Sequence, residues 1–253
     1  MHQIIRLVNR NLTISLNPGF LIWQVIFPLI YIFVAGFAYT SLIDRVPFEN
    51  KELDYPAFLA TGMIGFNIMN STLVTGIIIW NDRRHGMFEQ IMSGPFTRAH
   101  YILSSVITQG IVGLVSAALI AALGYLVYFE QVEFSFVTIP LIVFAAITGS
   151  VLFGSIASII STRIRSSEGF NVIINTAFLL FAFVSTAFYP AEGAPEPLST
   201  AFYANPLTYL VDIIRAGIFG NFSEFIIIEM IILVAISSIL FVIATKLLTK
   251  LDF

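Results

Sequence analysis

The chain has 253 residues, 58% hydrophobic and only 11% charged, where a soluble domain carries roughly 25% charge. That much apolar surface cannot be hidden in one globular core, so the composition excludes an ordinary soluble domain and fits a polytopic membrane protein. The net charge of -3 carries little, because charge is segregated along the chain, and the lack of cysteine excludes a disulfide framework, a thiol nucleophile and a thiolate metal site.

In the opening stretch Ile4, Ile5, Leu7, Val8 and Leu12 share one face while Gln3, Arg6, Asn9, Arg10 and Thr13 are polar. This pattern predicts a helix in the membrane interface over 1–19, stopped by Asn17, Pro18 and Gly19, although a simple start to the first span is also compatible. From Phe20 to Ile43 no residue is charged and no small-residue cleavage pattern follows, so the run reads as a first span rather than a signal peptide. Pro28 is tolerable there, since neighbouring helices can satisfy the freed carbonyl. The segment from Asp44 to Asp54 is an acidic outer loop.

A second span over 57–80 leads to a charged island at 81–98, and a third over 99–129 ends in the aromatics Tyr125, Tyr128 and Phe129. Glu130 and Glu133 mark an outer turn. A fourth span over 134–162 carries Ala146, Ser150, Gly154, Ser158 and Thr162 at every fourth position, a small-residue strip suited to close helix packing. After Arg163 and Arg165 come a fifth span over 169–189, a polar and proline-broken outer segment over 190–224, and a sixth span over 225–245. Arg6, Arg10, Arg83, Arg84, Arg98, Arg163, Arg165, Lys246 and Lys250 then fall on one side, and only Arg45, Lys51 and Arg215 on the other. By the positive-inside rule both termini are cytoplasmic. The fold expected is an all-α membrane protein forming a single domain over 1–253. It has six transmembrane helices, an N-terminal interfacial helix, and a re-entrant or interfacial outer helical segment before the last span.

The island reads NDRRHGMFEQIMSGPFTR. After Gly86, residues Met87 to Met92 form a short amphipathic helix closed by Gly94 and Pro95. Its apolar side faces the membrane or a protein groove, while Glu89 and the arginines are available to a soluble partner; a solvated connector is the plainer alternative. In the outer segment Asn205 and Pro206 read as a cap and first turn, with the helix running to Phe219 and Gly220 closing it. Asp212 and Arg215, three apart, are placed to pair on its surface.

Two separated motifs carry a family resemblance. Asp82 and Arg83, then Gly86, Phe88, Glu89 and Gln90, then Pro95, Thr97 and Arg98, resemble the cytoplasmic loop of ABC type 2 exporter permeases. Phe188, Tyr189 and Pro190, then Asn205, Pro206, Leu207, Thr208 and Tyr209, with Asp212 and Arg215 beyond, are similar to the carboxy-terminal signature of the same family. Arg84 and His85 depart from its pattern, standing where an acid and an Arg are frequent. The resemblance implies a permease subunit of an exporter in the cell membrane, whose loop residues Asp82, Arg83, Gly86, Phe88, Glu89, Pro95 and Arg98 couple to a cytoplasmic ABC ATPase. It implies a second permease subunit, expected as a homodimer, surrounding membrane lipids, and no nucleic acid. ATP and Mg would belong to the partner ATPase, with no cofactor and no metal in this chain.

A phosphate-binding loop needs glycines followed by Lys and Ser or Thr, and Lys51, Lys246 and Lys250 stand in no such setting. An intramembrane enzyme is an alternative, yet His2, His85 and His100 lack acids at metal-ligand spacing and there is no GxSxG or HExxH. An ion-coupled secondary transporter usually places ionisable residues at mid-membrane; here only Glu229, about a turn inside the sixth span, comes near. Asn67, Ser71 and Thr75 share a face of the second span, with Asn70 beside them, and Asn171 and Asn175 lie a turn apart on the fifth. The resemblance makes these spans the walls of the translocation path; interhelical hydrogen bonding is the competing reading. The 25 Phe residues would suit an amphiphilic, drug-like or lipid-linked cargo.

Overall fold

The computed structural model describes residues 2–16, 18–40, 45–49, 51–127, 135–191 and 194–249. The expectations for Asn17, Asp44, Tyr128, Phe129, Glu130, Glu133 and Lys250 lie outside these residues. In chain order the elements are α1 (His2–Ser15), α2 (Pro18–Thr40), β1 (Arg45–Phe48), β2 (Lys51–Asp54), α3 (Tyr55–Arg84), α4 (Met87–Met92) and α5 (Arg98–Val127). They continue with α6 (Thr138–Arg163), α7 (Ser167–Phe183), α8 (Leu198–Ala204), α9 (Pro206–Phe219) and α10 (Glu224–Thr249).

The protein is an all-α membrane protein. Among the described residues five helices, α2, α3, α5, α6 and α10, are long and apolar enough to cross a bilayer. The remaining expected span, the fifth, is α7, and at 17 residues it is the shortest of the set. Of the most apolar stretch of α3, 78% is buried inside the bundle, against 28% for α2 and 17% for α10. The central pillar is therefore α3, and α2 and α10 leave most of their apolar surface exposed.

Small residues bring the helices together, as packing in lipid requires. A side chain added at Gly113 of α5 would stand 2.4 Å from the Ser71 hydroxyl of α3, and one at Gly110 would stand 2.9 Å from that of Ser150. The small-residue strip of α6 is buried, with Gly154 against Val106 of α5, so packing is its use. A polar seam joins α1 and α2 to α5. Asn11 donates to the Ser105 hydroxyl (3.3 Å), Gln109 to Ser15 (2.9 Å), and the Ser116 hydroxyl to Gln24 (3.1 Å). Leu7, Asn11 and Ser15 face inward, while Ile5 stays 58% exposed and keeps an apolar face for the surroundings.

Three features differ from the sequence expectations. The acidic loop is a hairpin, with β1 and β2 antiparallel and Val46 opposite Leu53. Val46, Phe48 and Leu53 are buried, and Lys51 Nζ donates to the Phe219 carbonyl at 2.7 Å. The helix of the fifth span stops at Phe183 instead of 189, because its last carbonyls find side-chain donors. Asn205 Nδ2 donates to the carbonyls of Phe181 (2.8 Å) and Val184. Beyond that point Thr186 and Phe188 offer their carbonyls to Arg215 (2.6 Å) and to the Tyr55 hydroxyl (3.1 Å). A helical continuation would compete with those bonds. Finally, α9 does not lie on a surface. It is enclosed by α3, α6 and α10, with Ile213 to Phe219 buried, and the proline-rich link before it holds a further helix, α8.

Candidate functional site

At one end of the bundle the charged island forms a reversal from α3 into α4. The turn needs Gly86, whose φ of 71° lies in the left-handed region that costs a side chain energy. Helix α4 covers the expected Met87–Met92 and separates its two faces sharply. Phe88 is fully buried, edge-on to Tyr101 with ring centres 5.2 Å apart, and Ile91 joins it among Leu7, Ile79, Ile102 and Leu248. The groove that receives the apolar face thus belongs to this chain, and Phe88 positions the helix instead of meeting a partner. Glu89 and Pro95 are exposed.

The remaining island residues are held in place. Asp82 accepts from Arg10 Nη2 at 3.1 Å and from the Tyr101 hydroxyl at 2.8 Å, which pins α1 and α5 to the end of α3. Arg83 donates to the Ser161 carbonyl at the end of α6, and Arg98 to that of Leu248 in α10 (2.9 Å). The arginines expected to face a soluble partner therefore divide: Arg83 and Arg98 spend part of their hydrogen-bonding capacity on the bundle, while Arg84 is exposed and lies 5.1 Å over the Trp80 ring.

At the opposite end Asn205 caps α9 by accepting from the Leu207 N–H (2.9 Å), Pro206 fills the first turn, and Gly220 closes the helix at φ 67°. Tyr209 donates to the Tyr203 carbonyl, and burial first, then Glu229 and Asp212, hold its phenol above the ordinary range. Pro190 is half-buried in the turn after α7. The Asp212 to Arg215 pair exists (3.0 Å), but Arg215 is 1% exposed, which corrects the surface placement. Its side chain reaches the Thr61 hydroxyl (3.2 Å) and the carbonyls of Phe58 (3.3 Å) and Thr186 (2.6 Å). A long charged side chain points inward only where such a shell meets it, and the i, i+3 spacing gave no sign of the distant partners. Beside it a cavity of about 370 Å³ is lined by Glu49, Phe58, Tyr203, Asp212, Arg215 and Glu229.

The polar residues of the spans fall into two groups. Asn67, Ser71 and Thr75 are buried within the bundle, where Ser71 donates to the Ile68 carbonyl and Asn67 has no partner for either amide atom among the described residues. Asn70 is half-buried. Asn171 and Asn175 are exposed on α7, and Asn175 Nδ2 donates to the Asn171 carbonyl (2.7 Å).

A bundle of membrane-length helices around a buried pillar, with short structured reversals at its ends, is the architecture of a multi-pass membrane protein. The chain belongs to the ABC-2 type transporter family, which it matches over residues 2–219. It is 25% identical over 210 residues to a protein of Cyanophora paradoxa named as a transport permease, ycf38, covering 79% of this chain and 68% of that one. Nodulation protein J of Rhizobium leguminosarum bv. trifolii is 24% identical over 201 residues, 77% of this chain and 72% of that protein. An uncharacterized transmembrane protein of Bacillus subtilis, YxlG, is 31% identical over 112 residues, 40% of this chain and 41% of that one. The protein is accordingly a membrane permease of an ABC transporter.

Proposed function

We propose that the chain is the transmembrane subunit of an ABC exporter, moving an amphiphilic, drug-like or lipid-linked substrate out of the cytoplasm with energy from a separate ATPase. The α4 end faces the cytoplasm with both termini, the hairpin end faces outward, and two permease chains pair in the cell membrane. Helix α1 lies in the inner interface, and α9 is the re-entrant segment of the outer side. The observation that carries the reading is the division of α4, with Phe88 locked into the bundle and Glu89 exposed beside it. A force applied to the exposed face is passed to α1, α3, α5 and α10 through the buried one. Coupling then requires the ATP-bound partner to favour one permease arrangement over the other. Asn70, Asn171 and Asn175 face the path between the paired chains, Asn67, Ser71 and Thr75, buried within each bundle, join it when the helices rearrange, and ATP with Mg is bound by the ATPase alone.

The test is to purify the chain from its native membrane in mild detergent and identify what accompanies it. An ATPase whose turnover changes on Glu89→Arg, with the permease still folded, is the expected result; normal transport by that variant would sink the coupling role. A second reading, an ion-coupled carrier, is favoured by Glu229, half-buried on the cavity it shares with Asp212 and Glu49. Transport in vesicles that needs an ion gradient and ignores ATP would select it.

A further inference from the structure

Three elements meet around a second polar cavity, of about 260 Å³, at the α4 end of the bundle. Its lining is Trp80, Arg83 and Arg84 from the end of α3, Glu89 from α4, and Ile164 and Arg165 from the turn between α6 and α7. Three arginines and one glutamate thus line it. Asp82, the neighbouring acid, is engaged by Arg10 and Tyr101. The wall is stiff: Trp80 stacks on Phe170 with ring centres 5.5 Å apart, and Arg84 lies over the Trp80 ring at 5.1 Å. Arg83 is anchored by its bond to the Ser161 carbonyl, while its Nε is buried with no acceptor among the described residues. A buried donor without a partner costs free energy that an incoming acceptor recovers.

We infer that this cavity receives an acidic side chain of the ATPase subunit, an inference that rests on the exporter reading above. The guanidinium fork binds a carboxylate through parallel hydrogen bonds, which a scattered surface charge does not offer. The cavity is continuous with the exposed side of Glu89, so the docking face carries both signs: a carboxylate of the ATPase enters among Arg83, Arg84 and Arg165, and a base meets Glu89. Mixed-sign complementarity of this kind selects one ATPase over others through like-charge repulsion at a wrong partner. The α6–α7 turn then joins α4 as a second point at which the ATPase holds the permease.

The experiment uses the detergent-purified complex with the ATPase that accompanies the chain. Arg165→Glu and Arg84→Glu, which leave the Arg83 anchor in place, are each expected to weaken retention of the ATPase on gel filtration on the order of tenfold or more, with the permease melting temperature unchanged. In Arg165→Lys, a zero-length carbodiimide is expected to join the introduced lysine to an Asp or Glu of the ATPase, identified by mass spectrometry. This variant keeps the charge and serves where a reversal fails to fold. Full retention by both reversals, or cross-links confined to Glu89 of the same chain, would overturn the inference while leaving the exporter reading intact. So would retention by the unaltered complex that is lost on delipidation and restored by added phosphatidylglycerol, since the cavity would then hold a lipid phosphate. If the unaltered chain brings no ATPase, the exporter reading itself fails.

Discussion

The guanidinium carbon of Arg215 in α9 lies 3.6 Å from the centre of the Phe58 ring in α3. With the bonds to Thr61, Asp212 and the Thr186 carbonyl, this contact ties α9, α3 and the turn after α7 into one unit. Arg215→Ala would leave Asp212 facing a desolvated space and is expected to destabilise the protein by about 3 kcal/mol or more. Lysine should not restore it, because one ammonium cannot replace a planar fork that reaches partners on three elements. Melting temperature in detergent for the Ala and Lys variants checks both statements; a lysine variant as stable as the original protein would refute the second.

Asn205 works at both ends of one amide. Its oxygen caps α9, and its nitrogen closes the open carbonyls of α7. Asn205→Ala removes both functions and should cost about 2 kcal/mol. Asn205→Asp keeps the cap but sets a carboxylate oxygen against the Phe181 and Val184 carbonyls, so aspartate, ordinarily an equal cap, should be at least as harmful as alanine here. Thermal unfolding of the two variants side by side would show the order.

A side chain at Gly62 of α3 would stand 1.9 Å from the Ala187 carbonyl oxygen. Backbone cannot rotate away as a side-chain end can, so Gly62→Ala must push α3 from the turn after α7 and is expected to cost about 3 kcal/mol. Gly124→Ala, whose new methyl would meet only Ala60 at 3.7 Å, is the control and should be nearly neutral. Expression level and melting temperature of the pair measure the difference.

Asn67 is fully buried, and neither amide atom is paired among the described residues. If its only role were structural, Asn67→Leu would remove an unsatisfied polar group of similar shape and stabilise the fold by about 1 kcal/mol. The proposed path predicts a more specific result: the Leu variant melts at the same or a higher temperature yet transports more slowly. Equal transport rates by the two proteins would remove Asn67 from the path.

Phe88→Ala should release α4 from its groove. The loss of a buried aromatic costs about 3 kcal/mol or more, but confined to a six-residue helix at the end of the bundle it should appear mainly as local opening. Faster hydrogen exchange over 86–98, with the spans unchanged, is the expected signature; uniform protection would show that Phe88 does not hold the helix.

Local chemistry explains what was readable without the structure. The amphipathic run Met87 to Met92 became α4 because Gly86 and the Gly94 to Pro95 break bound it within a few residues. The Asn205 to Pro206 start and Gly220 stop of α9 followed from capping, which involves only adjacent backbone. Each long uncharged run forms a helix because hydrocarbon leaves a backbone no other partner than itself. The hairpin was not readable, since Pro47 and the acids of 45–54 conceal the short alternation of Val46, Phe48 and Leu53, and only burial against the bundle reveals it.

The sequence by itself therefore determined a helical membrane protein, its order of spans and the two ends at which its motifs lie, because hydropathy and capping act over a turn or a span of chain. Tertiary structure alone decided that Arg215 points inward, that Phe88 faces its own chain, that α7 ends at Phe183, and that Arg83, Arg84 and Arg165 share one cavity. Those outcomes depend on carbonyls, rings and charges brought together from elements far apart in the chain, Arg215 and Phe58 by 157 residues, and no local pattern encodes which distant partner a polar group will find.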